Sequence, residues 1–81
     1  MKKTVTIRYF AALRECAGIA SEERETQANS YAELYDELNT AYQFPLPCER
    51  VRVAVGEAYA DMNQPIHDKA EIAFIPPVAG G

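Results

Sequence analysis

One stretch of this 81-residue chain decides what the rest can build. Ser30 stands where an N-cap is wanted, Glu33 follows at capping-box spacing, and Tyr31, Leu34, Tyr35, Leu38, Ala41 and Tyr42 recur at helical period. The spacing predicts one amphipathic helix with a single apolar face, which needs a sheet to cover. Its tyrosines are read as core packing rather than as a stacking platform, because an aromatic stripe at this spacing is far more often buried. Phe44-Pro45-Leu46-Pro47 ends the helix in a loop, since two prolines so close do not fit a regular element.

The sheet is legible on both sides of that helix. Thr4 to Phe10 alternates, with Val5, Ile7 and Tyr9 on one face and Thr4, Thr6, Arg8 and Phe10 on the other, the period of a half-buried strand. Ala11 to Ala17 is a short helical run stopped by Gly18, and Ser21 to Gln27 reads as an exposed edge strand. Arg52 to Val55 forms a strand, Gly56-Glu57 a tight turn into Ala58 to Ala60, and Pro65 to Ala70 a loop. Glu71 to Ile75 is the last strand, with Ile72 and Phe74 opposed to Ala73 and Ile75, and it stops where Pro76 lacks an N–H for the ladder.

Strands before and after a single main helix predict an α+β fold, a mixed sheet with the helix across one face and the first and last strands as central neighbours. That order is the ubiquitin-like β-grasp arrangement. It makes residues 1–81 one domain, with residues 76–81 as a protruding, extended tail.

Composition restricts the function classes. A chain of this size folds around one core but holds no deep, self-sufficient active site. Its 48% hydrophobic and 25% charged residues are those of a globular rather than a disordered protein. The net charge of −4 argues against nucleic acid as a partner, because phosphate binding needs a basic surface. No run approaches the roughly 20 apolar residues of a membrane span, and Arg8, Arg14 and Glu15 interrupt any signal-peptide core after Lys2-Lys3, so the expected location is the cytoplasm. Cys16 and Cys48 form no CxxC pair and are expected as two reduced, half-buried thiols. No metal site is expected: His67, in a loop beside Asp68, has no second ligand at metal spacing and is read as solvated.

The end of the chain admits two readings. A C-terminal glycine carboxylate has no side chain shielding its carbonyl carbon, so a nucleotide can activate it and a nucleophile can approach from either face. Pro76 and Pro77 favour an extended backbone, after which Val78 to Gly81 can thread a narrow channel at up to ~3.5 Å per residue. Against this stands an ordinary frayed terminus, which Gly80 and Gly81 taken alone favour.

Three segments bear on the choice: Tyr9-Phe10-Ala11-Ala12-Leu13-Arg14-Glu15, Val53-Ala54-Val55-Gly56, and Asp68 to Gly81 with its ending Pro76-Pro77-Val78-Ala79-Gly80-Gly81. In these the chain resembles the small subunits of molybdopterin synthase, a family of β-grasp sulfur carriers, over essentially its whole length. The first is similar to the family's aromatic-Phe-Ala-x-x-Arg-Glu pattern. Val53-Ala54-Val55-Gly56 matches a turn where the family usually has asparagine, another residue that tolerates positive φ. The run Asp68 to Gly81 carries the most specific element, Pro76-Pro77-Val78-Ala79-Gly80-Gly81. Ile75 departs from a second aromatic found in many members, and Ala70 from a glycine.

The resemblance implies that a ubiquitin-activating-type enzyme uses ATP to adenylate the Gly81 carboxylate. A persulfide donor then converts the glycyl adenylate to a thiocarboxylate, so that 1-thioglycine ends the chain. The thiocarboxylate delivers sulfur to cyclic pyranopterin monophosphate inside the large subunit of the synthase, with no cofactor bound by the small subunit itself. The large subunit then supplies the acid, base and substrate-binding groups, and the assembly is a heterotetramer. Gly81 and Gly80 carry the chemistry, while Phe10, Arg14, Ile75, Pro76, Pro77, Val78 and Ala79 are the expected partner contacts.

The outward positions of Phe10 and Ile75 fit that role. If their strands are adjacent, the two side chains form an apolar patch beside the tail. Packing of Phe10 beneath the short helix is an equally open reading. Arg14 is open to a partner carboxylate or to local acids such as Glu15, and Glu22, Glu23 and Glu25 are read as a solvated face. Rival assignments are a thiamine-pathway sulfur carrier, a ubiquitin-like protein modifier joined through Gly81 to lysines, and an interaction module with an inert tail.

Overall fold

The computed structural model describes residues 2–77. Its elements are β1 (Lys3–Tyr9), α1 (Ala11–Ala17), β2 (Ser21–Thr26), α2 (Tyr31–Tyr42), a 3-10 turn (Cys48–Arg50), β3 (Arg52–Val55), β4 (Ala58–Ala60) and β5 (Glu71–Ile75). The strands form one sheet in the order β2-β1-β5-β3-β4. β1 and β5 run parallel at its centre, and every other neighbouring pair is antiparallel. This is the expected mixed α+β sheet, with the first and last strands side by side.

Local chemistry fixes the helix ends. Ser30 Oγ accepts from the Glu33 backbone N–H, and Glu33 Oε1 reaches back to the Asn29 N–H, one residue earlier than in a standard capping box. At the far end Gln43 takes a left-handed conformation, φ 57°, and its N–H closes on the Asn39 carbonyl at 2.7 Å. Gly18 does the same for α1 at φ 80°, and Gly56 takes φ 64° in the turn between β3 and β4. The loop before β5 is tied to β1: Thr4 N–H donates to Asp68 Oδ1, and the Lys69 N–H donates to the Thr4 carbonyl.

The core lies between the sheet and α2. Val5, Ile7 and Tyr9 of β1, Val53 of β3, and Ile72 and Phe74 of β5 meet Tyr31, Leu34, Tyr35 and Leu38 of α2. Tyr35 stands edge-on to Phe74 at 5.4 Å and stacks on Phe44 at 5.3 Å. Truncating a ring so enclosed typically costs ~3–5 kcal/mol, so this aromatic cluster carries a large share of the fold's margin.

Several expectations need correction. Ala41 is exposed rather than buried, and it is Phe44, beyond the helix cap, that packs against Tyr9, Tyr35 and Tyr42. Phe10 is not a strand residue: β1 stops at Tyr9, and Phe10 is the extended N-cap of α1 before Ala11 turns the chain at φ 50°. Cys16 is exposed, since the only fully buried position of the two-turn α1 is Leu13. Cys48 is half-buried as expected. Pro76, expected in the protruding tail, is buried, because continued alternation after Ile72 and Phe74 returns it to the core side. Pro77 is exposed.

The acidic strand also departs from the solvated-face reading. Glu23 and Glu25 are exposed, but Glu22 is half-buried and accepts hydrogen bonds from the hydroxyls of Tyr9 and Tyr42. Arg24 Nε pairs with Glu37 Oε2 at 2.8 Å, and Thr26 Oγ1 donates to Glu37 Oε1. The inward positions of β2 are therefore polar yet satisfied, so α2 closes over this edge strand through hydrogen bonds where it closes over β1 and β5 through apolar packing.

Candidate functional site

The functional tail predicted from sequence begins where β5 ends. Of its residues, Val78, Ala79, Gly80 and Gly81 lie outside the described residues. What the structure gives is the platform from which they leave.

That platform is the open sheet face at one end. In the parallel ladder Tyr9 lies opposite Phe74, and both point into the core. The residue that follows each of them, Phe10 after Tyr9 and Ile75 after Phe74, therefore turns to the other face. Phe10 is 42% exposed and Ile75 half-buried. The two strands are adjacent, as the apolar-patch reading requires, and exposure of this order counts against Phe10 being sealed beneath α1. Phe10 also anchors that helix through its backbone, its carbonyl accepting from the Leu13 N–H at 3.1 Å.

β3 and β4 extend the platform. Arg52 faces Ile75 across the antiparallel ladder, and Ala54 faces both Ala73 and Tyr59. The Tyr59 ring, 65% exposed, lies 5.5 Å from the Arg52 guanidinium. Arg50, Arg52, Tyr59, Ile75, Pro76 and Pro77 together line a groove of about 340 Å³ at the root of the tail. Arg50, Arg52 and Tyr59 were missed by the sequence reading. A bulky aromatic at an outward strand position, paired with a small residue across the ladder, was the signal available for Tyr59.

Arg14, the other predicted contact, is not in this groove. It lies exposed on α1, one turn beyond Phe10, beside a shallow hollow shared with Glu15, Gly18, Ile19 and Ala20. No ion pair to Glu15 forms; the ion pairs among the described residues are those of Arg24 with Glu22 and Glu37. His67 is exposed.

The cysteines offer little to sulfur chemistry. Cys16 Sγ donates to the Tyr42 carbonyl at 3.0 Å, and burial pushes the Cys48 thiol up, followed by the nearby charges of Asp36 and Glu49. A raised thiol is protonated at neutral pH and a poor nucleophile. Among the described residues, no three His, Cys, Asp or Glu side chains gather as metal ligands, and no helix is long and apolar enough to cross a membrane. The described site is thus an exposed surface of apolar and cationic side chains beside Pro76 and Pro77.

Comparison with known proteins bears on the family and the fold. The ThiS family model matches residues 7–81. The chain is 39% identical over 80 residues to the molybdopterin synthase sulfur carrier subunit of Mycobacterium tuberculosis, covering 95% of this chain and 96% of that one. Subunits 1 and 2 of the molybdopterin-converting factor of Helicobacter pylori, solved as a complex, include a match at 26% identity and TM-score 0.62, covering 96% of this chain and 99% of that one. The small archaeal modifier protein 1 of Methanosarcina acetivorans shares the fold, at TM-score 0.77 and 19% identity over 100% of this chain and 99% of that one.

Proposed function

The chain belongs to the ThiS family, and from that premise we propose that it is the sulfur-carrying small subunit of a molybdopterin synthase. The observation that carries this reading is the 39% identity, over nearly the full length of both chains, to the M. tuberculosis sulfur carrier subunit. Likeness to one chain of the H. pylori two-subunit complex supports a large subunit as the partner.

In this reading the reactive group is the Gly81 carboxylate. A carboxylate resists nucleophilic attack; transfer of AMP from ATP by an adenylating enzyme turns it into a mixed anhydride with a good leaving group. The terminal sulfur of a persulfide donor displaces AMP to give an acyl disulfide; a second thiol then attacks the donor's sulfur, forming a new disulfide with it and leaving a thiocarboxylate, which is ionised and nucleophilic at neutral pH. Gly80 and Gly81 carry no side chain to hinder that sulfur, and the fixed φ of Pro76 and Pro77 favours an extended approach to the large subunit. There the sulfur passes to cyclic pyranopterin monophosphate, and two rounds build the dithiolene of molybdopterin. The large subunit supplies the acid and base, while this chain supplies sulfur and docking. The same proposal places the chain in the cytoplasm, where ATP and reduced thiols are at hand.

The platform fits its part. Phe10 and Ile75 present apolar surface beside the tail root, the arrangement expected of an interface centre. Removing Gly81 tests the reading: synthase activity is lost completely while the thermal unfolding of the chain is unchanged. Retained activity in that variant sinks the carrier role.

A further inference from the structure

The arginines at the tail root carry a second inference, which rests on the docking role just proposed. Arg52 occupies an outward strand position opposite Ile75, and Arg50 lies two residues before it, on the 3-10 turn. Both are exposed, and among the described residues neither guanidinium comes within ion-pair distance of a carboxylate. The chain carries 12 acidic and 8 basic residues. Six of those acids, Glu22, Glu23, Glu25, Glu33, Asp36 and Glu37, lie on β2 and α2, and β2 is the sheet edge farthest from β4. Arg50 and Arg52 thus lie away from this acidic edge, beside the end of β5, with Glu49 the acid that shares their turn.

Tyr59 makes one of them directional. A guanidinium held against an aromatic ring is restricted to a plane and keeps its N–H edge free for a bidentate acceptor. The groove beside it has Ile75 and Pro76 as apolar wall. Any protein that receives the tail must cover this groove, because Pro77 forms part of it. Covering a guanidinium without supplying an anion costs far more than leaving it in water, so the receiving surface must bring its own acceptors.

We propose that Arg50 and Arg52 form a specificity site that reads a pair of Asp or Glu carboxylates on the large subunit, next to the channel that admits the tail. The apolar patch then supplies contact area and the arginine pair fixes register and partner choice.

The test is calorimetric binding of the full chain to the large subunit at low and moderate salt, using wild type, Arg52→Gln, Arg52→Glu and the double variant Arg50→Glu/Arg52→Glu. Both side chains are exposed, so unchanged thermal unfolding is expected and serves as the folding control. The expected loss is about tenfold for Arg52→Gln and about a hundredfold or more for the double reversal, with most of the salt dependence gone in the latter. Partial rescue by replacing an acidic residue of the large subunit with lysine identifies the mate. Wild-type affinity and salt dependence in the double variant overturn the inference and leave the carrier reading intact. Absence of binding by the wild-type chain, with the large subunit competent toward its own small subunit, defeats the carrier reading instead.

Discussion

Tyr9 and Phe74 stand side by side in the parallel β1–β5 ladder, both buried, and this pairing sends Phe10 and Ile75 together to the opposite face. The earliest strand and the latest thus build one surface at the point where the tail departs. Parallel pairing is what brings them to the same end; an antiparallel pair would have set Phe10 at the far end of the sheet from Ile75.

From that relationship, Phe10→Ala separates docking from folding. A ring already 42% exposed loses little on truncation, so the variant stays within about 1 kcal/mol of wild type in chemical denaturation. Its affinity for the large subunit falls roughly tenfold or more, as for an aromatic anchor at an interface centre. Loss of stability with unchanged affinity contradicts the docking role.

Glu22→Gln has the opposite signature. Glu22 Oε2 accepts from both Tyr9 and Tyr42, and in the variant a neutral amide oxygen, a weaker acceptor, replaces that charged oxygen at a half-buried site. The expected cost is about 1–3 kcal/mol in the urea midpoint, with sulfur transfer unaffected at temperatures where the variant is folded.

Gln43→Gly is expected to stabilise. Gln43 holds φ 57°, where a β-carbon is crowded and glycine is not, while the N–H bond to the Asn39 carbonyl is made by either residue. The gain is up to about 1 kcal/mol, read as a higher melting temperature.

Alkaline pH loosens the core. Burial pushes the Tyr35 hydroxyl from 10.0 up to about 12. Tyr9 is raised by burial and by its bond to Glu22, and Tyr42 first by its bond to Glu22. Protons held more tightly by the folded chain stabilise it fully below the ordinary tyrosine value, and that contribution is lost as pH rises through the folded values. The melting temperature therefore declines from about pH 10 upward, and Tyr35→Phe makes the decline shallower; an unchanged slope in Tyr35→Phe contradicts the assignment.

The sequence spoke most clearly where structure is local. The Ser30 cap, the Gly18 stop, the β3 turn at Gly56 and the two faces of β5 each depend on residues within one or two turns, and each stands as read. It was silent where distant segments meet. Nothing in Ser21 to Thr26 shows that Tyr9 and Tyr42 converge on Glu22, and nothing in the Phe44-Pro45 loop shows that Phe44 joins the core against Tyr9 and Tyr42. Phe10 continues an alternating pattern, yet the ladder stops one residue earlier because Ala11 turns the chain. At the candidate site the apolar pair was legible from strand period, whereas Arg52 and Tyr59 became part of it only through the β3–β5 and β3–β4 registers.

The most direct test of the carrier role is a defined transfer reaction, in which this chain bearing a Gly81 thiocarboxylate is mixed with the large subunit of molybdopterin synthase and cyclic pyranopterin monophosphate. The account predicts that molybdopterin forms, and that the same chain with a plain carboxylate yields none. No product from the thiocarboxylated chain, with a large subunit shown competent using its own small subunit, contradicts it.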